Sequence, residues 1–579
     1  MKQRKNTLFA YMWAAPSLLL IILIVIFPIL YTGYISFTNM NVYHWNDFSF
    51  IGLENYKDAL LVFDNGFIAA LFLTILWTIV NMALQLVIAF ILASLLNIKK
   101  LKLRNVYKTF LIFPWAMPGY VSILLWKTGM FNSQFGLLNQ ALAKLGLEPV
   151  RWLNSNAMAF ICCTVVNLWL ALPFMITIID GALQSIDKSF YESARLDGAN
   201  WIQRTCYITI PMIRPIIAPS VIITTFTTFK QFDVIYLLTQ QVGAKTGAEI
   251  HTILTYAYEK AFITNNYGYS SAISMIIFAL LIVFSMITNR VPKHKEVEYM
   301  QKKIKEGIGL TAVNLFFILL CFVTMVPILY AFSVSLNADN SLLGSDFSFL
   351  PKHITLDNYK AVFVEEPILL WLKNSLILAI ATLGISLGTG IPAAYVFSRK
   401  EFPGRKAILE LLILLYAFPS LLSMTALYKL LSPMGLINTR TGLIIVYTGT
   451  MAVFALWNMK GYFDTIPWEI EEAALIDGAT SFQLVTRIVL PLAKPTIAVT
   501  AMMILVYVWN EYIFAINFMT GSDTYTLAGG LYSLQATEMS GSWPVFAAAS
   551  IVVSIPILIV FFALQKNMTT GLTAGGVKG

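Results

Sequence analysis

Apolar runs long enough to cross a bilayer recur along the chain, and short polar or charged segments separate them. A helix rises about 1.5 Å per residue, so about 20 apolar residues span the hydrocarbon core. Twelve runs of roughly this length occur, six in each half of the chain. They predict transmembrane helices at residues 10–37, 67–96, 110–127, 157–182, 213–238 and 270–289, and then at 308–335, 368–397, 407–430, 441–459, 495–519 and 543–565.

Composition agrees with an all-α membrane protein. The 579 residues are 58% hydrophobic and 12% charged, about half the charged fraction of a soluble domain. This excludes disordered, coiled-coil and collagen-like chains and disfavours a soluble enzyme. The four cysteines lie in or beside apolar runs without paired spacing, and the four histidines lie in connecting segments without metal-ligand spacing. We therefore predict neither a disulfide framework nor a metal site.

The net charge of +9 is informative through its distribution. If the N-terminus is cytoplasmic, 27 of the 39 lysines and arginines fall on the cytoplasmic side and 10 outside, with Lys230 and Lys373 inside spans. Cytoplasmic loops of membrane proteins carry such an excess. The pattern predicts a multi-pass membrane protein with both termini cytoplasmic. Its surroundings are then the lipid bilayer, and no nucleic-acid partner is expected.

Short motifs of the first half return in the same order in the second. Each half holds six predicted spans, so both enter the membrane in the same direction, which predicts a parallel repeat around a pseudo-two-fold axis. We predict a first half at 1–290, a cytoplasmic linker at 291–307 and a second half at 308–579. Met300 is either an ordinary linker residue or the former start of a separate subunit. The repeated motifs are Pro28–Tyr31 with Pro327–Tyr330, Leu53–Lys57 with Leu356–Lys360, and Phe113–Pro114 with Phe418–Pro419.

The strongest motif lies between the fourth and fifth spans of each half. Its shared pattern is Glu-x-Ala-x-x-Asp-Gly, and a proline follows the glycine by 13 positions in both copies. The Ala-rich part favours a helix, the glycine its end, and the prolines the return into the membrane. Two helical loops on the cytoplasmic face, at about 187–215 and 467–495, are suited to contact another protein. A surface loop without a special role is the alternative.

The doubled motif resembles the "EAA" loop of the membrane subunits of ABC importers. The resemblance implies that each loop docks into a cleft on an ATPase subunit, with Glu192 and Glu472 as candidates for ion pairs. Gly198 and Gly478 would form the kinks. The chain contains no P-loop pattern, so ATP and Mg²⁺ would bind two separate ATPase subunits, and we expect no cofactor and no catalytic residue in this chain. The predicted ATPase-coupling residues are Glu192, Ala194, Asp197, Gly198, Glu472, Ala474, Asp477 and Gly478.

The whole chain resembles the permeases of maltose/maltodextrin ABC importers, with the larger and smaller membrane subunits joined. This implies the type I ABC importer permease fold and an extracellular sugar-binding protein as partner. The segment Thr38–Gly66 is too short for the extracellular domain of the larger subunit, so we expect a weaker resting complex with the binding protein. The stretches that carry the resemblance are Asn167–Leu170 with Pro173–Phe174, Trp509–Tyr512, Ser522–Leu527 and Gly571–Gly579.

The same resemblance places a sugar site in the first half. Two of its positions keep the family residue, Asn167 and Leu170, whereas the other five carry substitutions that leave individual hydrogen bonds open. Helical spacing puts four of the positions on one face of a span. Aromatic faces with neutral donors and acceptors suit a sugar, although ordinary packing is the alternative for each residue. The predicted sugar-binding residues are Trp115, Asn167, Leu170, Ala171, Phe174, Thr224 and Thr228.

The sequence thus predicts an ATP-driven importer of maltose or linear maltodextrins that works by alternating access. The segment 521–541 is a candidate for dislodging sugar from the binding protein. Two alternatives remain at this point. One is the same architecture for another oligosaccharide or a polyol. The other is an ion-coupled secondary transporter, which the lack of an intramembrane chain of acidic residues and histidines disfavours.

Overall fold

The computed structural model describes residues 2–63, 66–98, 101–134, 136–240, 250–288, 310–338, 351, 353–538 and 543–574. This part of the chain is almost entirely helical, with two isolated β-bridges. Within it, nine helices are long and apolar enough to cross a membrane, and three sharply bent helix pairs raise the number to twelve. The prediction of an all-α protein with twelve spans in two repeats is confirmed.

The described residues of the first half form eleven helices. Short π-helical turns lie within several of them, and α9 also contains a non-helical stretch at 230–232. The helices are α1 (Thr7–Ile35), α2 (Glu54–Leu61), α3 (Phe67–Leu96), α4 (Arg104–Ala116), α5 (Gly119–Met130), α6 (Leu137–Lys144), α7 (Asn156–Ser185), α8 (Lys188–Leu196), α9 (Trp201–Thr239), α10 (Ile253–Tyr258) and α11 (Tyr267–Thr288).

The last part of α9, from Asp233, corresponds to the short helix that follows the fifth span of the second half. The second half repeats the order of the spans. Its helices are α12 (Leu310–Ser335), α13 (Asp357–Val364), α14 (Ile368–Arg399), α15 (Arg405–Ala417), α16 (Ser420–Met434), α17 (Arg440–Phe463), α18 (Trp468–Ile476), α19 (Ser481–Leu492), α20 (Lys494–Asn510), α21 (Ile513–Phe518), α22 (Leu527–Glu538) and α23 (Trp543–Ala574).

The third span of each half is bent, whereas the sequence predicted single helices at 110–127 and 407–430. Both pairs, α4 with α5 and α15 with α16, turn through 92°. At each bend a residue in extended conformation, Met117 or Phe418, precedes a proline. Proline disfavours helical dihedrals in the residue before it. In the structure Pro118 therefore corresponds to Pro419. Pro114, which the sequence repeat paired with Pro419, lies inside α4.

The fifth spans differ between the halves. In the first half α9 runs continuously from the predicted coupling loop into the membrane region, whereas α19 and α20 meet at an 80° bend. The predicted helix at 495–519 also ends early, because the chain leaves helical geometry at Glu511 before α21 begins. The helix of this span therefore ends at Asn510 and not at 519, and the first half has the corresponding helix end at Phe229.

The first span of each half packs against the opposite half. Tyr11 of α1 donates a hydrogen bond to the carbonyl of Pro403 at 2.7 Å, and α1 shares a buried cluster with α14 and α17. Reciprocally, the ring of Tyr107 in α4 stacks on Phe317 of α12 at 5.2 Å and its hydroxyl donates to Asn314 at 2.9 Å. The two halves are thus held together by exchanged helices, which the sequence pattern did not reveal.

The repeat Leu53–Lys57 caps the end of the first span. The Asn55 amide donates to the carbonyls of Ser36 and Thr38 at 2.9 and 2.8 Å, and the Tyr56 hydroxyl lies 2.7 Å from the Ser36 hydroxyl. These bonds satisfy carbonyls that a helix end leaves without an intrahelical partner. The second half reproduces the three contacts at 2.7–3.0 Å through Asn358, Tyr359, Ser335 and Asn337.

Candidate functional sites

Helix α8, in the first predicted coupling loop, ends in a left-handed glycine. Gly198 has φ +78°, a value that glycine adopts without the steric cost of a Cβ atom. Its N–H donates to the Arg195 carbonyl at 3.0 Å, and the Ala199 N–H donates to the Ala194 carbonyl at 2.8 Å. This pair of bonds is the Schellman arrangement that closes a helix C-terminus. Asp197 is the C-cap residue, between the last helical residue and the glycine.

Helix α18 ends in the same way. Gly478 has φ +85°, its N–H donates to the Leu475 carbonyl at 3.1 Å, and the Ala479 N–H donates to the Ala474 carbonyl at 3.0 Å. Asp477 precedes the glycine as Asp197 does in the first half. The two motifs predicted from sequence therefore form the same helix ending, and their alanines, Ala194 and Ala474, are both buried.

Each helix is followed at once by a second helix that begins with a capping box. In the first half the Asn200 and Gln203 side chains bond each other's backbone N–H groups at 2.7 and 2.9 Å. In the second half Thr480 and Gln483 do the same at 3.3 and 2.9 Å. Sequence reasoning missed these residues, although a capping residue three positions before glutamine is a readable signal.

The outer surface of both loops carries large exposed apolar side chains. Leu196 is 85% exposed and its counterpart Ile476 is 86% exposed. Trp201 and Phe482, at the start of the following helices, are also more than half exposed. Glu192 and Glu472 lie exposed on the same helices, and Glu472 accepts a hydrogen bond from Trp468 at 2.7 Å. Clustered exposed apolar groups are typical of surfaces that contact other proteins.

A buried ion pair attaches α18 to the membrane helix α14. The carboxylate of Glu471, with a fully buried side chain, lies 2.6 Å from the Arg399 guanidinium. The Tyr395 hydroxyl donates to the same carboxylate at 3.1 Å, and Arg399 also donates to the Ile466 carbonyl at 2.8 Å. Sequence reasoning singled out Glu472 and missed its neighbour Glu471. One of two adjacent acidic residues on a short helix must face inward, but the sequence does not show which.

The first half has a different attachment. Tyr191 stands where Glu471 stands in the second half, and its hydroxyl lies 3.0 Å from that of Thr209. In the first half a charged cluster lies instead on the preceding helix, α7, where Asp180 is close to the helix end. Its carboxylate pairs with Arg104 of α4 at 3.1 Å and also with Lys108. This cluster holds α7 to α4.

The predicted sugar-site residues fall on three helices of the first half, α4, α7 and α9. Asn167 donates to Asn81 of α3 at 2.7 Å, and the Thr228 hydroxyl lies 3.8 Å from the sulfur of Met82. Trp115 and Phe174 lie side by side with ring centroids 6.3 Å apart. Leu170 and Ala171 are half-buried, and Thr224 is buried.

Two contacts of these residues were not predicted. Asn81 is one of the few amides within the apolar run of α3, and this is a signal that sequence reasoning passed over. Phe561 of α23 places its ring 6.2 Å from that of Trp115, so the second half contributes to this region. Among the described residues no group of three or more His, Cys, Asp or Glu side chains is arranged to hold a metal ion.

The family model described as "Binding-protein-dependent transport system inner membrane component" matches residues 85–295 and 386–573, one segment in each half. Together the two segments cover more than half of the chain. The chain belongs to this family. It is a permease subunit of an ABC importer and a multi-pass membrane protein, not an enzyme.

Three relatives each align with about half of this permease. GanQ, a galactooligosaccharides transport system permease protein of Bacillus subtilis (strain 168), is 36% identical over 280 residues, which are 48% of this chain and 98% of GanQ. MalG, a maltose/maltodextrin transport system permease protein of Escherichia coli (strain K12), is 36% identical over 275 residues, 44% of this chain and 91% of MalG. GanP, a second galactooligosaccharides permease protein of the same Bacillus strain, is 31% identical over 288 residues, 48% of this chain and 68% of GanP.

Proposed function

We propose that this chain is the permease of an ATP-driven importer of maltose or maltodextrins, with two permease halves joined at residues 291–307. The joining segment lies outside the described residues, as do Gly575–Gly579 and part of the predicted 521–541 loop. Both termini would be cytoplasmic, as the distribution of lysine and arginine predicts. The membrane would be the plasma membrane of a bacterium. An extracellular binding protein would deliver the sugar.

The doubled helix ending at Gly198 and Gly478 supports coupling to two ATPase subunits. Each loop presents an exposed glutamate and exposed apolar side chains on a helix whose end is fixed by backbone bonds. A rigid, protruding helix transmits displacement better than a flexible loop. ATP binding would close the two ATPase subunits and move both loops together, and hydrolysis, with Mg²⁺ in the ATPase subunits, would reset them.

The choice of a neutral oligosaccharide rests on the chemistry of the first-half site and on the relatives. Trp115 and Phe174 supply aromatic faces, and Asn167, Thr224 and Thr228 supply neutral hydrogen-bonding groups. Such a site fits the apolar face and the hydroxyls of a pyranose. MalG is a maltose/maltodextrin permease protein by name, whereas GanQ and GanP serve galactooligosaccharides. A galactooligosaccharide is therefore the second candidate.

Competition uptake distinguishes the two substrates. The permease, its ATPase subunits and its binding protein are reconstituted in vesicles with the binding protein outside and ATP inside. We expect radiolabelled maltotriose to accumulate and excess unlabelled maltodextrin to suppress it. Accumulation of a galactooligosaccharide with no uptake of maltotriose would contradict the proposed substrate and leave the importer architecture intact.

The short outer segment Thr38–Gly66 predicts how the binding protein is held. Its described part contains one eight-residue helix, α2. With so little surface available there, we expect weak binding without nucleotide. A pull-down of the permease complex by immobilised binding protein, with and without a non-hydrolysable ATP analogue, tests this. Tight capture without nucleotide would contradict it.

A further inference from the structure

Gln85 of α3 is a fully buried amide for which the described residues provide no hydrogen-bond partner. Its side-chain oxygen and nitrogen are both inaccessible, and neither is paired. No other Asn or Gln of the described part has both amide atoms buried and unpaired. Burying an unpaired amide costs free energy. In a transport protein, a ligand that binds during only part of the transport cycle would supply the missing hydrogen bonds.

The register of the surrounding helices places Gln85 at the predicted sugar site. As the second and fourth spans, α3 and α7 run in the same direction, and the bond between Asn81 and Asn167 fixes their alignment at 2.7 Å. Gln85 lies four residues after Asn81 on α3, and Ala171 lies four residues after Asn167 on α7, which is about one helical turn in each case. One turn beyond that, Ala89 and Met175 share a buried cluster, as this alignment requires.

Helix α9 brings a third residue to the same level. It runs antiparallel to α3, and the contact of Thr228 with the sulfur of Met82 fixes its alignment. One turn back along α9 lies Thr224, which therefore faces the level of Gln85. Three helices thus contribute one layer of Gln85, Ala171 and Thr224, next to the layer that contains Asn81, Asn167 and Thr228.

The second half has smaller groups at the matching positions. The buried residues of α3 and α14 coincide at an offset of 301, which aligns Asn81 with Thr382 and Gln85 with Ser386. The helices of the second half also approach closely, since a Cβ atom on Gly390 would lie 3.0 Å from that of Ala455. The long amides are therefore specific to the half that carries the predicted sugar residues.

We propose that Gln85 is a substrate-binding residue that binds hydroxyl groups of the transported sugar, as a contribution of α3 to the site. Its amide oxygen accepts a hydrogen bond from one hydroxyl, and its NH₂ group donates to a neighbouring one. Access requires α9 to separate from α3, and the hydrogen bond that joins them, from Thr228 to the thioether of Met82, is a weak one. This inference rests on the proposed function, because the ligand is the transported sugar.

The test compares Gln85→Met with Asn374→Leu in the complete transporter. Asn374 is also fully buried, but its amide nitrogen donates to the carbonyls of Asp523 and Tyr525 at 3.0 and 2.9 Å. The measurements are retention of radiolabelled maltotriose after trapping with ATP and vanadate, and thermal unfolding without sugar. Gln85→Leu serves as a second variant in case methionine packs poorly.

For Gln85→Met we expect about tenfold weaker retention of maltotriose, the size of one or two net hydrogen bonds, with an unfolding temperature equal to or above that of the wild type. For Asn374→Leu, which serves as the reference for loss of a paired buried amide, we expect a lower unfolding temperature. Wild-type retention by both Gln85 variants, or destabilisation of both to the extent seen in Asn374→Leu, would overturn the inference alone. A wild-type transporter that traps no oligosaccharide would overturn the proposed function together with it.

Discussion

The two coupling helices, α8 and α18, have the same local design but different attachments to the membrane helices. Both end in a left-handed glycine with paired backbone bonds. Among the described side chains of the two helices, Glu471 of α18 is the one buried charge, and Arg399 of α14 holds it. In α8 the same position is Tyr191, which contacts Thr209 through its hydroxyl. The shared design defines the shape of the contact surface, and the attachments define how motion passes inward.

This difference implies unequal transmission under the proposed function. Helix α18 and the end of α14 are joined by a salt bridge with additional hydrogen bonds, so they should move as one body. Helix α8 should pass its motion through the backbone to α7, which the Asp180 cluster holds against α4. We therefore expect the second half to respond more strictly to its ATPase subunit than the first.

The largest expected effect is that of Glu471→Ala. Removing one partner of a buried ion pair leaves the other charge uncompensated and costs about 3–5 kcal/mol. We expect a marked fall in the thermal unfolding temperature of the purified complex, together with ATP hydrolysis that no longer drives uptake. The double variant Glu471→Leu with Arg399→Met removes both charges and should recover most of the stability. A Glu471→Ala complex as stable as the wild type would show that the pair does not hold α18.

The second-largest effect is expected for proline at either coupling-loop glycine, Gly198 or Gly478. Gly198→Pro or Gly478→Pro removes the N–H that bonds the preceding turn and forces a negative φ, at a cost of about 1–3 kcal/mol. We expect ATPase activity that is uncoupled from transport in both variants, since the helix ending is the same in both halves. Gly146→Pro serves as the control, because Gly146 is a left-handed glycine (φ +76°) that follows α6 outside both coupling loops. Unchanged uptake in the proline variants would contradict the assigned role of the glycines.

Removing either capping box should lower stability by less than these changes, and by the same amount in both halves. Asn200→Ala and Thr480→Ala each remove a helix cap, which costs about 1 kcal/mol. Unfolding temperatures of the two variants should fall by similar amounts, because the capping geometry is repeated. A large difference between them would mean that the two loops are less alike than their backbones indicate.

The smallest effect is expected for Tyr191→Phe, which deletes one partly exposed hydrogen bond worth about 0.5–1.5 kcal/mol. Stability and uptake should stay close to those of the wild type. This variant and Glu471→Ala form the direct test of unequal attachment, since they change corresponding positions. Equal losses in thermal stability would contradict it.

The sequence predicted the number of spans, the repeat and the helix endings at Gly198 and Gly478, because hydropathy, internal similarity and glycine chemistry are local signals. It did not predict the 92° bends, although Pro118 and Pro419 indicate them once the two halves are aligned by structure. It could not predict the exchanged first spans or the pairing of Glu471 with Arg399. These depend on which helix faces meet, and apolar spans of similar composition do not encode that in one sequence.

The candidate sugar residues show the same limit. Spacing put Asn167, Leu170, Ala171 and Phe174 on one helix face, and the structure brings Trp115 beside Phe174. The amides Asn81 and Gln85 of α3 were passed over because α3 is otherwise a long apolar run. Their positions became informative only when the bond between Asn81 and Asn167 fixed the register of the two helices.

The most direct test of the central claim is uptake of radiolabelled maltotriose into sealed vesicles that contain the permease with its ATPase subunits and external binding protein. ATP inside the vesicles, without any ion gradient, should drive accumulation against the sugar gradient, and omission of ATP or of the binding protein should abolish it. Accumulation without ATP, driven by a proton or sodium gradient, would contradict the account and identify an ion-coupled transporter.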